Sequence, residues 1–140
     1  MKYLLDTCII SESVKQHPNS KVIQWLDSHD EHSLFISIIT IGELLKGVYK
    51  LDEQSVRKTK LDAWINEDLL FRFNQRIIGL DIEIIKVWGK LISEAEQQGR
   101  KLPILDSLIA ATAMANSLIV VTRNTMDFSC CGVITENPWF

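Results

Sequence analysis

The chain has 140 residues, enough for one compact core, and its 46% hydrophobic and 24% charged residues are the balance of a globular protein. A formal net charge of -3 argues against a protein that coats nucleic acid by bulk positive charge, but not against a nucleic-acid enzyme whose acidic centre is offset by bound cations. Cys8, Cys130 and Cys131 form no CxxC pair and no zinc spacing, so they suit packing in a reducing compartment.

Tyr3-Leu4-Leu5 reads as a short buried strand ended by Asp6, and a helix follows from Thr7 to about Val14. Asp6 interrupts the apolar run too early for a signal peptide, and no apolar stretch is long enough to span a bilayer; the expectation is a cytoplasmic protein with no membrane contact. His17-Pro18-Asn19 breaks the chain before an amphipathic helix over Ser20 to Ser28, with Val22, Ile23, Trp25 and Leu26 inward. His29 and His32 fall in a polar stretch and read as surface residues. Leu34 to Ser37 is a second buried strand, followed by a helix from about Ile41 to Leu51 and, after a polar run, a longer helix ending near Phe73.

Ile77 to Leu80 is short and β-rich. Ile82 to Gln98 is amphipathic, with Ile85, Trp88, Ile92 and Ala95 on one face and Gly99 as its stop. Ile104 to Asn116 is an alanine-rich helix, and Leu118 to Val121 and Val133-Ile134 complete the strands. Short apolar strands alternating with helices predict an α/β fold, a parallel sheet covered on both faces, in one domain over residues 1–140. The alternative, an all-helical fold, conflicts with the β-branched and aromatic character of the two longest strand runs.

Four acidic residues share one setting. Asp6, Glu43 and Asp127 each follow a predicted strand, and Asp106 opens a helix just after Pro103. In an open α/β fold, strand carboxyl ends and the helix starts beside them meet at one sheet edge, where ligands bind. Each acid also has an ordinary explanation. Asp6 can cap the helix at Thr7, Thr40-Ile41-Gly42-Glu43 fits a capping box, Asp106 suits the positive end of its helix, and Asp127 can stabilise the turn after Asn124. Together, however, they form the oxygen-rich set that Mg²⁺ or Mn²⁺ prefers, and the chemistry implied is metal-assisted hydrolysis of a nucleic-acid backbone.

Several neighbours fit that reading. Thr122 is placed to orient Asp6, Asn124 is a neutral polar group beside it, and Arg123 is a candidate phosphate contact; turn chemistry explains the first two equally well. Ala110 and Ala113 lie on Asp106's helix face, where small side chains permit close approach to the sheet. Lys46, Lys50, Arg57, Lys58, Lys60, Arg100 and Lys101 form a possible phosphate-binding rim, though such runs are more often solvated surface.

The segments "MKYLLDTCIIS", "ISIITIGELLKGV", "LPILDSLIAATA" and "IVVTRNTMDF" resemble, in order and approximate spacing, those of the PIN domain, most of all the VapC-like and FitB-like toxins of toxin–antitoxin pairs. The resemblance covers essentially the whole chain. It implies a three-layer α/β/α fold and a Mg²⁺- or Mn²⁺-dependent endoribonuclease, a homodimer restrained by a small antitoxin whose carboxy-terminal segment lies across the active-site groove. By motif position it makes Asp6, Glu43 and Asp106 the principal metal-binding acids and assigns Asp127 the fourth role, with Asn124 supporting. Thr7 and Thr122 are further expected supporting residues, and Lys46 and Arg123 the expected RNA contacts. Two other readings compete: a phosphotransfer domain with Asp6 as nucleophile, which lacks the second Asp because Cys8 stands there, and a non-catalytic module that binds RNA or a protein without cutting.

Overall fold

Five strands, β1 (Tyr3–Leu5), β2 (Leu34–Ser37), β3 (Ile77–Ile78), β4 (Ile119–Val121) and β5 (Thr135–Glu136), pair in the order β3-β2-β1-β4-β5, all parallel, in the computed structural model of residues 1–140. From β1 the chain moves outward through β2 to β3, and from β4 outward to β5. The direction of winding therefore reverses between β1 and β4, whose register pairs Leu5 with Val121. In such sheets the crevice at the carboxyl ends beside this reversal is where ligands bind.

Alternation along the central strands divides the core in two. Tyr3 and Leu5 of β1, Leu34 and Ile36 of β2, and Ile119 and Val121 of β4 pack with α1 (Thr7–Ser13), α2 (Ser20–Asp27) and α3 (Ile38–Tyr49). The same core takes Ile65, Leu69 and Phe73 from the helical segment formed by α4 (Val56–Ala63), a π-helical turn (Trp64–Leu69) and α5 (Leu70–Arg72). Leu4 and Val120 face the other way, onto Leu91 of α6 (Ile82–Gln97), Ile109, Ala110 and Ala113 of α7 (Ile104–Asn116), and Phe128 of α8 (Thr125–Ser129). Helices thus cover both sheet faces, giving the expected three layers. No helix is long and apolar enough to cross a membrane.

Three local expectations are corrected. Ser37, directly at the end of β2, caps α3 by accepting the Ile39 N–H at 3.0 Å, so this helix begins at Ile38 rather than Ile41. The capping box from Thr40 to Glu43 therefore does not form, because both residues lie inside the helix. On α6 the inward row is Ile84, Leu91 and Ala95, while Ile85 lies on the outer rim of a broad apolar face. The last strand falls at Thr135–Glu136 rather than Val133-Ile134: Gly132 turns the chain at φ +81°, and pairing with β4 starts only where Ile134 O accepts the Val120 N–H at 2.9 Å.

Ala110 and Ala113 are fully buried, and Ala111 beside them is too, so α7 sits against the sheet with no room for larger side chains. Ala110→Leu is expected to lower stability by about 1–3 kcal/mol through overpacking, read from the urea midpoint; an unchanged midpoint would refute this close approach.

Candidate active site

Asp6 is the residue just past β1, and its backbone N–H donates to Val121 O at 2.9 Å, continuing the pairing of the two central strands by one residue. The side chain caps α1, with Oδ1 accepting the Thr7 N–H at 2.8 Å. Its other oxygen, Oδ2, accepts the Thr122 hydroxyl at 2.8 Å from the end of β4. The Cys8 thiol also points to Oδ2, at 3.6 Å. Capping and site formation are therefore the same geometry, since the helix start and the strand end coincide. Thr122 is itself fixed, its Oγ1 accepting the Asn124 N–H at 2.9 Å.

Glu43 reaches the same edge from α3, where its Oε1 accepts the Thr7 hydroxyl at 2.6 Å. Thr40 lies one helical turn earlier, with its hydroxyl 3.1 Å from that of Thr7. Thr7 thus ties α1 to α3 beneath the carboxylates. Asp106 occupies the first turn of α7, and Asp127 the first turn of α8. Asn124 precedes α8, but its side chain makes no capping bond there.

The electrostatics place all four acids in one field. Burial raises the Asp6 carboxyl above its usual range, outweighing the hydrogen bonds from Thr122, Thr7 and Cys8, and the charge of Asp127 adds to the rise. Asp106 is pushed up to about 6, first by burial and then by the charges of Asp6, Asp127 and Glu43. Five ion pairs form elsewhere on the surface, but none includes these four residues. No ion pair within the protein offsets their charge.

A hard divalent cation suits this all-oxygen set. No three acidic side chains converge closely enough to surround one ion by themselves. Mg²⁺ keeps several of its waters and binds through one or two carboxylates, so direct ligation by a subset, with the others acting through water, fits the donors present.

Two openings adjoin these residues. A groove of about 310 Å³ runs from Thr7 and Glu43 over Leu44, Val48, Leu61 and Trp64, with Arg57 at its wall. A cleft of about 350 Å³ adjoins Asp127. Of the basic residues read from sequence, Arg57 lines the groove at Glu43, and others engage elsewhere. Lys58 pairs with Glu53 at 2.7 Å, Arg100 donates to Cys130 O at 2.8 Å, and the Arg123 guanidinium lies 5.1 Å from the Trp139 ring centroid. Lys46 is exposed on α3. Two residues take part in the site beyond what the sequence indicates. Cys8 packs against the first core, as its residue type implies, and also turns its thiol to Asp6. Thr40 carries an S/T-x-x-E spacing that points to a local helix cap, whereas its partner is Thr7 across the fold.

Residues 3–129 match the PIN domain, and the chain belongs to that family. It is 36% identical over 136 residues to the toxin FitB of Neisseria gonorrhoeae, covering 97% of each chain. It is 31% identical over 136 residues to the VapC ribonuclease Y4jK of Sinorhizobium fredii, covering 97% of this chain and 96% of that one. The crystal structure of FitAcB from Neisseria gonorrhoeae superposes with a TM-score of 0.91 at 36% identity, covering 98% of both chains.

The raised Asp106 carboxyl makes a signed prediction. The folded state holds this proton up to about pH 6, whereas the unfolded chain releases it near 3.8, so its contribution to stability declines as pH rises through that window and stays low above it. Chelator-treated protein is expected to melt higher at pH 5 than at pH 7, and Asp106→Asn to raise the pH 7 melting temperature by roughly 2–4 °C while narrowing the difference. Thermal melts at the two pH values check this; a variant less stable than wild type at pH 7 would contradict it.

Proposed function

We propose that this chain is a divalent-metal-dependent endoribonuclease that hydrolyses RNA phosphodiester bonds as the toxin of a toxin–antitoxin pair. Mg²⁺ is the proposed ion, with Mn²⁺ as its substitute. One observation supports the reading: near the edge where the sheet reverses, the charges of Asp6, Asp127 and Glu43 all raise the Asp106 carboxyl, and no ion pair includes any of the four. The ribonuclease name of the Sinorhizobium relative and the toxin name of the Neisseria relative support it.

Asp6 and Asp106 would hold the ion, joined by Glu43 and Asp127 directly or through water. When bound there, a divalent cation supplies charge neutralisation and Lewis acidity toward phosphate oxygens. The chain's own groups do the positioning. Thr122 and the Thr7 N–H fix both oxygens of Asp6, and the Thr7 hydroxyl holds Oε1 of Glu43, so neither carboxylate has to reorganise when RNA arrives. Asn124 supports this arrangement through its N–H to Thr122. Lys46, exposed on α3, and Arg123, in the wall of the cleft at Asp127, are the proposed backbone contacts for RNA.

The toxin role implies an antitoxin partner, which the structural likeness to a toxin–antitoxin complex from Klebsiella pneumoniae, 27% identical with a TM-score of 0.68, supports. The groove beside Glu43, with Leu44, Val48, Leu61 and Trp64 in its walls, suits an apolar protein segment laid next to the acids. A homodimer is proposed as well. Ile82 and Ile85 on the outer rim of α6, 69% and 42% exposed, give an apolar surface for a second copy.

Purified protein supplied with Mg²⁺ or Mn²⁺ is expected to cleave cellular RNA, with Asp6→Asn and Asp106→Asn each slower by on the order of 10²-fold or more, measured on a labelled RNA substrate. Folded wild type that cuts no RNA with either ion, or an Asp6→Asn variant of undiminished rate, would overturn the reading.

A further inference from the structure

We infer that the cleft beside Asp127 is the subsite for a nucleobase adjoining the scissile phosphate, an inference that rests on the ribonuclease reading above. The cleft, about 350 Å³, is walled by Arg123, Asn124, Met126, Asp127, Asn137 and Phe140. That volume falls in the range of small-ligand pockets. Asp127 links its wall to the acidic centre, for the charge of this residue reaches the carboxyls of Asp6 and Asp106, and Asn124 in the same wall donates its N–H to Thr122, which holds Asp6. A separate groove adjoins Thr7 and Glu43. A strand that reaches the carboxylates past Asp127 has a flanking nucleotide at this cleft.

The walls carry the chemistry of single-strand recognition. The Arg123 guanidinium is held over the Trp139 ring at 5.1 Å, and its backbone N–H is anchored on Cys8 Sγ at 3.4 Å, so the cation stands fixed at the cleft edge. The segment bearing Phe140 is built rather than loose: Asn137 Oδ1 accepts the Trp139 N–H at 2.9 Å, Pro138 is buried, and Trp139 packs against the first core. From this base Phe140 stands 94% exposed, and Met126 across the cleft 84% exposed. An exposed ring beside a fixed guanidinium is the pairing that stacks a base while holding its phosphate. The carboxamides of Asn124 and Asn137 supply donors and acceptors for a base edge. Asp127 works against a bare anion in the same cleft, which favours a nucleotide over free phosphate.

The test compares wild type, Phe140→Ala, Phe140→Tyr and Arg123→Ala on single-stranded RNA oligonucleotides, separating KM from kcat, with a melting curve for each protein. Phe140→Ala and Arg123→Ala are expected to raise KM roughly tenfold with kcat within about twofold, and Phe140→Tyr to keep the wild-type KM. If wild type cleaves but both alanine variants retain its KM, the subsite is refuted while the ribonuclease reading stands. Unchanged KM with lost binding of a cognate antitoxin would assign the cleft to protein and refute it likewise. If wild type cleaves no RNA, both readings fall together.

Discussion

The hydrogen bond from Thr122 to Asp6 joins the ends of the two strands between which the sheet reverses direction. Everything proposed about the site depends on that junction. Parallel pairing of β1 with β4 brings residues 116 positions apart into contact, and the Asp6 N–H to Val121 O bond sets the register of the ends. From there the other acids arrive by helix geometry. α3 presents Glu43 to Thr7, α7 presents Asp106 over a bed of alanines, and α8 presents Asp127. A one-residue slip of β1 would turn Asp6 and Leu5 to the wrong faces and break core and site together.

The same junction carries a cost. Four carboxylates at one edge, with Asp6 nearly buried and Asp106 pushed up to about 6, repel one another in the folded chain without ions. Such local destabilisation persists only where the surrounding structure over-determines it. Here that support is visible: fully buried side chains fill both cores, and no buried side-chain polar atom lacks a partner. A compact divalent cation bound at this edge would relieve that repulsion.

Most of this architecture was legible in the residues. Strand runs such as Leu34 to Ser37 were bounded sharply because each is apolar and ended by polar residues, and the helix stop at Gly99 follows from its φ of +70°. The acids were legible because strand ends and helix starts are marked by the same residues. What the residues concealed was long-range. Thr40 and Glu43 carry a capping-box spacing, yet Ser37 takes the cap and their true partner, Thr7, lies more than 30 positions away. Ile85 against Ile84 was a similar ambiguity: a broad apolar stripe does not reveal which row faces the sheet until β1 and α7 fix the rotation. Arg123 gave no sequence sign of its stacking on Trp139, because that contact depends on the chain returning through β5.

The central claim, that the four carboxylates form a divalent-cation site, is tested most directly by an anomalous-difference map of crystals soaked in Mn²⁺. A peak is expected within coordinating distance of Asp6 and Asp106, with Glu43 and Asp127 around it. Well-ordered carboxylates with no peak between them, or Mn²⁺ bound only elsewhere on the surface, would contradict it.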